Sequence, residues 1–309
     1  MDLRQLRYFV TVAEELHFGR AAERLAMTQP PLSQQIQALE QELGVQLFAR
    51  TRRSVALTAV GAQWLPEVRR VLADAAALPA LAQRLARGET GSLTLTFVST
   101  ADYGILPGLL RQFGERHPDV SLQLREATSD VQIDALLAGE SDAGLVIPPQ
   151  PVSFPATLGY LPLARERLVL AVPERWRPAS RHGQARLRRG EVALAEAADA
   201  PLILFPRRSA PAFYDIITGC YAAQGLTPRV GQEAIQMQTI VSLVSAGMGV
   251  ALVPESLRHL RRTGVRYLDL SADLAPHVTP YVETGLIWRR QAMTPALQSF
   301  VEIARTMSS

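Results

Sequence analysis

No lysine occurs among the 309 residues, so all 32 basic side chains are arginine. Arginine presents a planar fork that suits phosphate and guanine, but a GC-rich genome also replaces lysine with arginine. With 29 acidic side chains the formal charge is only +3, so charge balance alone selects no partner. Cysteine is nearly missing as well. Cys220 stands alone, which excludes an internal disulfide and any site built on several thiolates, and suits a reducing compartment. Long apolar runs are absent too. The longest candidate, 240–254, is interrupted by Ser242, Ser245, Gly247 and Gly249 and falls short of the ~20 residues that cross a bilayer. Asp2, Arg4 and Arg7 put charge where a secretion signal has its apolar segment, so the expected setting is the cytoplasm, with no membrane partner.

The residues that catalysis needs are equally scarce. His17, His117, His182, His259 and His277 lie far apart without paired metal-ligand spacing, and Gly247-Met248-Gly249 lacks the rest of a dinucleotide fingerprint. There is no nucleophile-elbow serine and no phosphate loop. Cys220 falls in a predicted helix among apolar neighbours and reads as a buried thiol. No catalytic residue, metal or cofactor is expected. An enzyme or a solute-binding protein using the C-terminal part remains as an alternative.

What is present is an apolar content of 48% with charges of both signs, which belongs to a folded protein whose length calls for two or three cores. Leu3, Leu6, Phe9, Val10, Ala13 and Leu16 recur at helical spacing, and Phe18, Ala21, Ala22 and Leu25 repeat the pattern after a short break. Met27-Thr28-Gln29-Pro30-Pro31 stops the second helix and suits the first turn of a third. There Leu32, Ile36, Leu39 and Leu43 share a face, Gln34, Gln37 and Gln41 share the other, and Gly44 ends the helix. Glutamine can bond two atoms of an adenine edge in the major groove, although a solvated helix carries glutamine equally well. Two short helices joined by a tight turn make a helix-turn-helix, whose second member enters the groove. Residues 47–58 then alternate around an arginine-rich turn as a hairpin does, with Arg50, Arg52 and Arg53 as candidate phosphate contacts.

The stretches Leu6-Arg7-Tyr8-Phe9, Phe18-Gly19-Arg20-Ala21-Ala22-Glu23-Arg24-Leu25, Thr28-Gln29-Pro30-Pro31-Leu32-Ser33-Gln34-Gln35-Ile36, Leu39-Glu40, Leu43-Gly44, Leu47-Phe48-Ala49-Arg50 and Leu57-Thr58-Ala59-Val60-Gly61, in that order and spacing, resemble the DNA-binding domain of the LysR family. The resemblance implies base or backbone contacts from Gln29, Pro30, Pro31, Ser33, Gln34 and Gln37, with wing contacts from Arg50 and Arg53.

From Thr58, read as the cap, a helix is predicted to Arg87. Trp64, Val68, Val71, Ala75, Leu78, Ala82 and Leu85 alternate spacings of four and three, as a coiled-coil seam does. Pro66 and Pro79 predict a bend. Pairing of two such helices suits a dyad-symmetric site in double-stranded DNA, which two reading helices span one turn apart. The family resemblance adds joining of dimers into a tetramer, and RNA polymerase is a further candidate partner.

After Gly91 strands alternate with helices: Ser92–Val98, Val120–Leu124, Ala143–Ile147, Leu168–Val172, Leu202–Phe205, Val250–Val253 and Gly285–Trp288 read as strands. The last strand and the helix 294–306 are expected to return to the first sheet. This order, with Arg116-His117-Pro118-Asp119-Val120 and 245–254, resembles the effector domain of the same family, which is similar to periplasmic solute-binding proteins of type 2. The expected organisation is a winged helix-turn-helix over 1–58, a linker and dimerisation helix over 59–90, and a two-lobed α/β effector domain over 91–309. Lobe I takes about 91–163 and 268–309, and lobe II about 164–267. Open α/β sheets bind ligands beyond the carboxyl ends of their strands, where helix N-termini attract anions. Ser99, Thr100, Thr128 and Arg207 follow strands in this way and Phe205 ends one, although Ser and Thr there can simply cap helices. The resemblance adds Phe213 and Met237 as cleft walls. Hydroxyls, a cation and an aromatic wall together suit a small carboxylate, with an aromatic acid as one form. The expected function is a DNA-binding transcriptional regulator governed by such an effector; an effector-independent regulator is the alternative.

Overall fold

The computed structural model describes residues 1–51, 54–178, 180–271 and 280–308. By internal contacts the chain divides into two units, Met1–Arg84 and Leu85–Ser309.

The first unit opens with α1 (Leu3–Glu15), capped by Asp2, whose carboxylate accepts from the Gln5 amide while the Gln5 side chain reaches back. Leu6, Phe9, Val12 and Ala13 form its buried face, whereas Leu3 and Leu16 are exposed. Leu16 ends the helix in the left-handed conformation (φ 47°), so it turns out of the face the spacing had assigned it. Helix α2 (Phe18–Arg24) follows, and the turn to α3 (Gln29–Leu43) passes through Ala26 at φ 50°. Pro30 and Pro31 occupy the start of α3 and Gly44 its left-handed end, as the sequence predicts. The wing is a hairpin of β1 (Phe48–Arg50) and β2 (Val55–Leu57), with Phe48 opposite Leu57. The core gathers Phe9, Phe18, Leu32, Ile36, Leu39, Leu47 and Phe48. Each such large side chain contributes about 1.5–3 kcal/mol on burial.

Helix α4 (Ala59–Ala86) is capped by Thr58, whose hydroxyl accepts from the Gly61 amide at 3.0 Å, and it is continuous through Pro66 and Pro79. Its beginning belongs to the first core: Val68 is buried, and Trp64, Leu65 and Leu72 pack against that cluster. At Gly61 the helix meets the wing backbone so closely that a Cβ would stand 2.3 Å from the Leu47 carbonyl oxygen. The seam is therefore divided. Trp64 and Val68 are used within their own head, while Val71 (45%), Leu78 (60%) and Leu85 (46%) are left exposed.

The second unit has one large sheet and helices on its faces. β3 (Thr90–Phe97) pairs in parallel with β4 (Asp119–Glu126) and β5 (Ala143–Val146); α5 (Ile105–Arg116) and α6 (Ser129–Ala138) are the crossovers. β6 (Leu158–Pro173) runs for 16 residues. It is followed by α7 (Arg181–Leu187), β7 (Glu191–Val192), β8 (Leu202–Leu204), α8 (Pro211–Ala222), β9 (Val230–Glu233), α9 (Met237–Ser245), β10 (Ala251–Pro254) and β11 (Val265–Leu270). β12 (Tyr281–Arg289) and α10 (Pro295–Met307) complete the chain. The strand order is β4-β3-β5-β12-β6-β11-β7, with β10 also on β6. β12 does return to the first strands, antiparallel to β5 and to residues 158–167 of β6. The rest of β6 pairs with β10 and β11, so this one strand belongs to both ends of the sheet.

Candidate DNA-reading face and effector cavity

On α3 the apolar residues Leu32, Ile36 and Leu39 are fully buried, while Gln29, Pro30, Pro31, Gln34 and Gln37 are exposed and Ser33 is partly so. The amide face predicted from spacing is therefore free in the described structure. Arg50 is placed differently from expectation. Its Nη2 donates to Glu40 at 2.8 Å, its Nη1 to the Ser33 hydroxyl at 3.4 Å, and its guanidinium lies 4.8 Å from the Phe18 ring centroid. This arginine braces the wing to α3, so much of its hydrogen-bonding capacity is already used. Arg52 and Arg53 lie outside the described residues.

Glu40 was not among the candidate site residues. One oxygen accepts the backbone amides of Leu47 (2.9 Å) and Phe48 (3.0 Å), and the other holds Arg50. A carboxylate on the inner edge of a helix, followed by a hairpin with an arginine, has no periodic signature; only the contacts reveal it.

The second unit holds a cavity of about 1150 Å³. The parallel strands β3 and β4 end side by side, Phe97 opposite Glu126, so the segments that follow them converge on one end of the cavity. Ser99, Thr100 and Thr128 line it, as do Phe205 and Phe213, whose rings stand edge to face at 5.6 Å. Thr100 is 3% exposed and its hydroxyl has no hydrogen-bond partner among the described residues. Thr128 is the N-cap residue of α6, yet its hydroxyl makes no capping bond. Ser99 accepts the Met237 amide at 3.3 Å.

Two of the expected residues do not line the cavity. Arg207 is exposed and held by Asp215 through two hydrogen bonds, 2.9 and 3.2 Å. Met237 is fully buried in the core, so it reaches the site through its backbone amide. The guanidinium that does line the cavity is that of Arg165, 4.6 Å from the Tyr281 ring centroid. Glu126 is a further lining residue missed from the sequence, although the rule that found Thr128, position after a strand, points two residues earlier as well. Desolvation by the surrounding walls, with Asp102 nearby, pushes its carboxyl above the usual carboxylate range.

Cys220 also borders the cavity but is buried, and burial pushes its thiol up to about 11. At pH 8 about 0.1% is then thiolate, so iodoacetamide is expected to label Cys220 in the folded protein at least ~100-fold more slowly than a free thiol. Mass spectrometry across denaturation checks this; fast labelling of the native protein contradicts it.

Among the described residues, no group of three or more histidine, cysteine and acidic side chains could hold a metal ion, and no helix is long and apolar enough to cross a membrane.

Comparison with known proteins fits both units. Residues 3–62 match the bacterial regulatory helix-turn-helix protein, lysR family, and residues 86–309 match the LysR substrate binding domain. The HTH-type transcriptional regulator IlvR of Caulobacter vibrioides is 56% identical over 303 residues, 98% of this chain and 97% of that one. The regulator AlsR of Bacillus subtilis is 38% identical over 306 residues, 98% and 95% of the two chains. The crystal structure of full-length CbnR complexed with its target DNA superposes with a TM-score of 0.72 at 31% identity, covering 100% of both chains. The chain thus belongs to the LysR family, as a DNA-binding, non-enzymatic transcriptional regulator with an effector-binding domain.

Proposed function

We propose that this regulator works as a dimer on a dyad-symmetric operator, its two reading helices set one turn apart, and that a small carboxylate in the cavity switches it. The observation that carries the first half is the exposed amide face of α3: Gln29, Gln34 and Gln37 stand opposite a fully buried apolar stripe. Ser33, Pro30 and Pro31 flank that face and act as backbone contacts. Arg50 acts by holding the wing against α3, and the wing residues Arg52 and Arg53 are assigned to phosphate. Dimerisation is assigned to the apolar seam of α4, and assembly of dimers into tetramers, contact with RNA polymerase and a cytoplasmic setting belong to the same reading.

The effector half rests on Thr100, a buried hydroxyl without a partner at the wall of a cavity that also presents Thr128 and Ser99. A ligand carboxylate accepts from such hydroxyls and from the first amides of α6. Binding one lobe arrangement better than another is sufficient for a switch.

Titration of the protein on its upstream DNA across a salt series tests the first half. Wild type is expected to bind a dyad site with a steep salt dependence. Gln34→Ala should relax base preference by about 5- to 150-fold, corresponding to the 1–3 kcal/mol of one bidentate base contact. Arg50→Ala should weaken binding to all sequences alike. Equal affinity of wild type for random DNA, with and without ligand, contradicts the reading.

A further inference from the structure

We infer that the effector carries an ammonium group beside its carboxylate, received by Glu126, and that its class is an apolar α-amino acid. This rests on the effector reading above and narrows its ligand.

The charges along the cavity are the starting point. Among the described residues four carboxylates line it, Glu126, Asp130, Asp215 and Glu283, against one guanidinium, that of Arg165. Three of the four have local stabilisation. Asp215 is held by Arg207, and Glu283 accepts the Tyr160 hydroxyl and stands across the β6–β12 ladder from Arg165. Asp130 occupies the first turn of α6, where the helix dipole favours a negative charge. Glu126 has only the Gln236 side-chain amide, at 3.5 Å, and among the described residues no arginine pairs with it. A cavity for a plain anion would not place an uncompensated carboxylate beside its anion-binding hydroxyls, because like charge repels the ligand. Partial desolvation by the cavity walls, with Asp102 nearby, raises the Glu126 carboxyl, and a bound cation relieves it.

The second observation is independent of the acidic residues. Thr100 is 3% exposed and its hydroxyl is unpartnered among the described residues, while the Thr128 hydroxyl makes no capping bond to its own helix. Phe97 and Glu126 are ladder partners, and the Ala127 amide donates to the Phe97 carbonyl at 3.0 Å. Thr100 and Thr128 therefore sit within a few residues of Glu126 on adjoining strand ends. Donors for a carboxylate and an acceptor for an ammonium thus meet at one end of the cavity. An α-amino acid presents both groups on one carbon. Beyond them Ile133, Ile147, Phe154, Phe205, Phe213 and Ile235 supply an apolar wall for its side chain.

Calorimetry on the full-length protein decides this with two matched sets: L-leucine, isocaproate and isoamylamine, and L-phenylalanine, hydrocinnamate and phenethylamine. One amino acid is expected to bind at least tenfold more tightly than its acid or its amine. Glu126→Gln should erase the advantage over the acid, and Thr100→Val should weaken amino acid and acid together. The melting profile of each variant, measured beside wild type, separates a lost ligand contact from a lost fold. Acids that bind as well as or better than the amino acids, with no response to Glu126→Gln, overturn this inference and leave the carboxylate reading standing. Amines that bind alone overturn both the carboxylate and the amino-acid assignment, as does a complete absence of binding.

Discussion

Exchanging Glu40 for alanine is expected to lower the stability of the DNA-binding head by about 3 kcal/mol and to abolish operator binding at protein concentrations that saturate with wild type. The reasoning follows the three groups that depend on this carboxylate. Leu47 and Phe48 are 0% and 2% exposed, and both donate their amides to the same Glu40 oxygen. Without an acceptor each buried amide costs about 1–3 kcal/mol. The pair with Arg50 adds less, because that guanidinium is 27% exposed. Once the pair is gone, β1 is no longer fixed to α3 and the reading face loses its brace. Glu40→Gln keeps one acceptor oxygen and should cost about 1 kcal/mol. Hydrogen exchange over residues 29–57, read by mass spectrometry together with thermal unfolding, measures both. Unchanged protection in Glu40→Ala would refute the account.

A double exchange on the linker, Val71→Asp with Leu78→Asp, is expected to give a monomer whose operator affinity is at least ~100-fold below wild type. These side chains are 45% and 60% exposed in the single chain, whereas Trp64 and Val68, two turns and one turn before Val71, are packed into the head. Apolar residues seven apart on the solvent side of a helix have no reason to persist unless another surface covers them. Aspartates there would face their own copies across a dyad, and like charges in a closing seam exclude pairing. A monomeric head retains only one short reading helix, which contacts too few base pairs to select a site. Sedimentation and operator titration on one preparation give both numbers, and a dimer that survives the double exchange rejects pairing through α4.

The head was readable because its signals are local. Pro30-Pro31 starts a helix, Gly44 ends it, and Thr58 caps the next; each effect acts within one turn. The effector domain was readable where strands are buried on both faces, as in β5, whose four residues are all buried. It was not readable at β9, where all four residues are exposed and Val230 alone is apolar, so no alternation marks the strand. The first half of β6 hid behind Pro162 and the charged run Arg165-Glu166-Arg167. Thr100 and Thr128, expected from their position after strands, line the cavity. Arg207 was misplaced because nothing in its neighbourhood announces that Asp215, eight residues on, takes its guanidinium. The same limit hid Glu40, whose three partners lie seven to ten residues away across a turn.

The close approach of Gly61 to the Leu47 carbonyl, with Val68 sunk in the same core, fixes the first turns of α4 to the wing and, through Glu40, to α3. Those first turns and the head therefore form one piece, like a key and its collar, and any rotation of that stretch of helix is handed to the glutamine face.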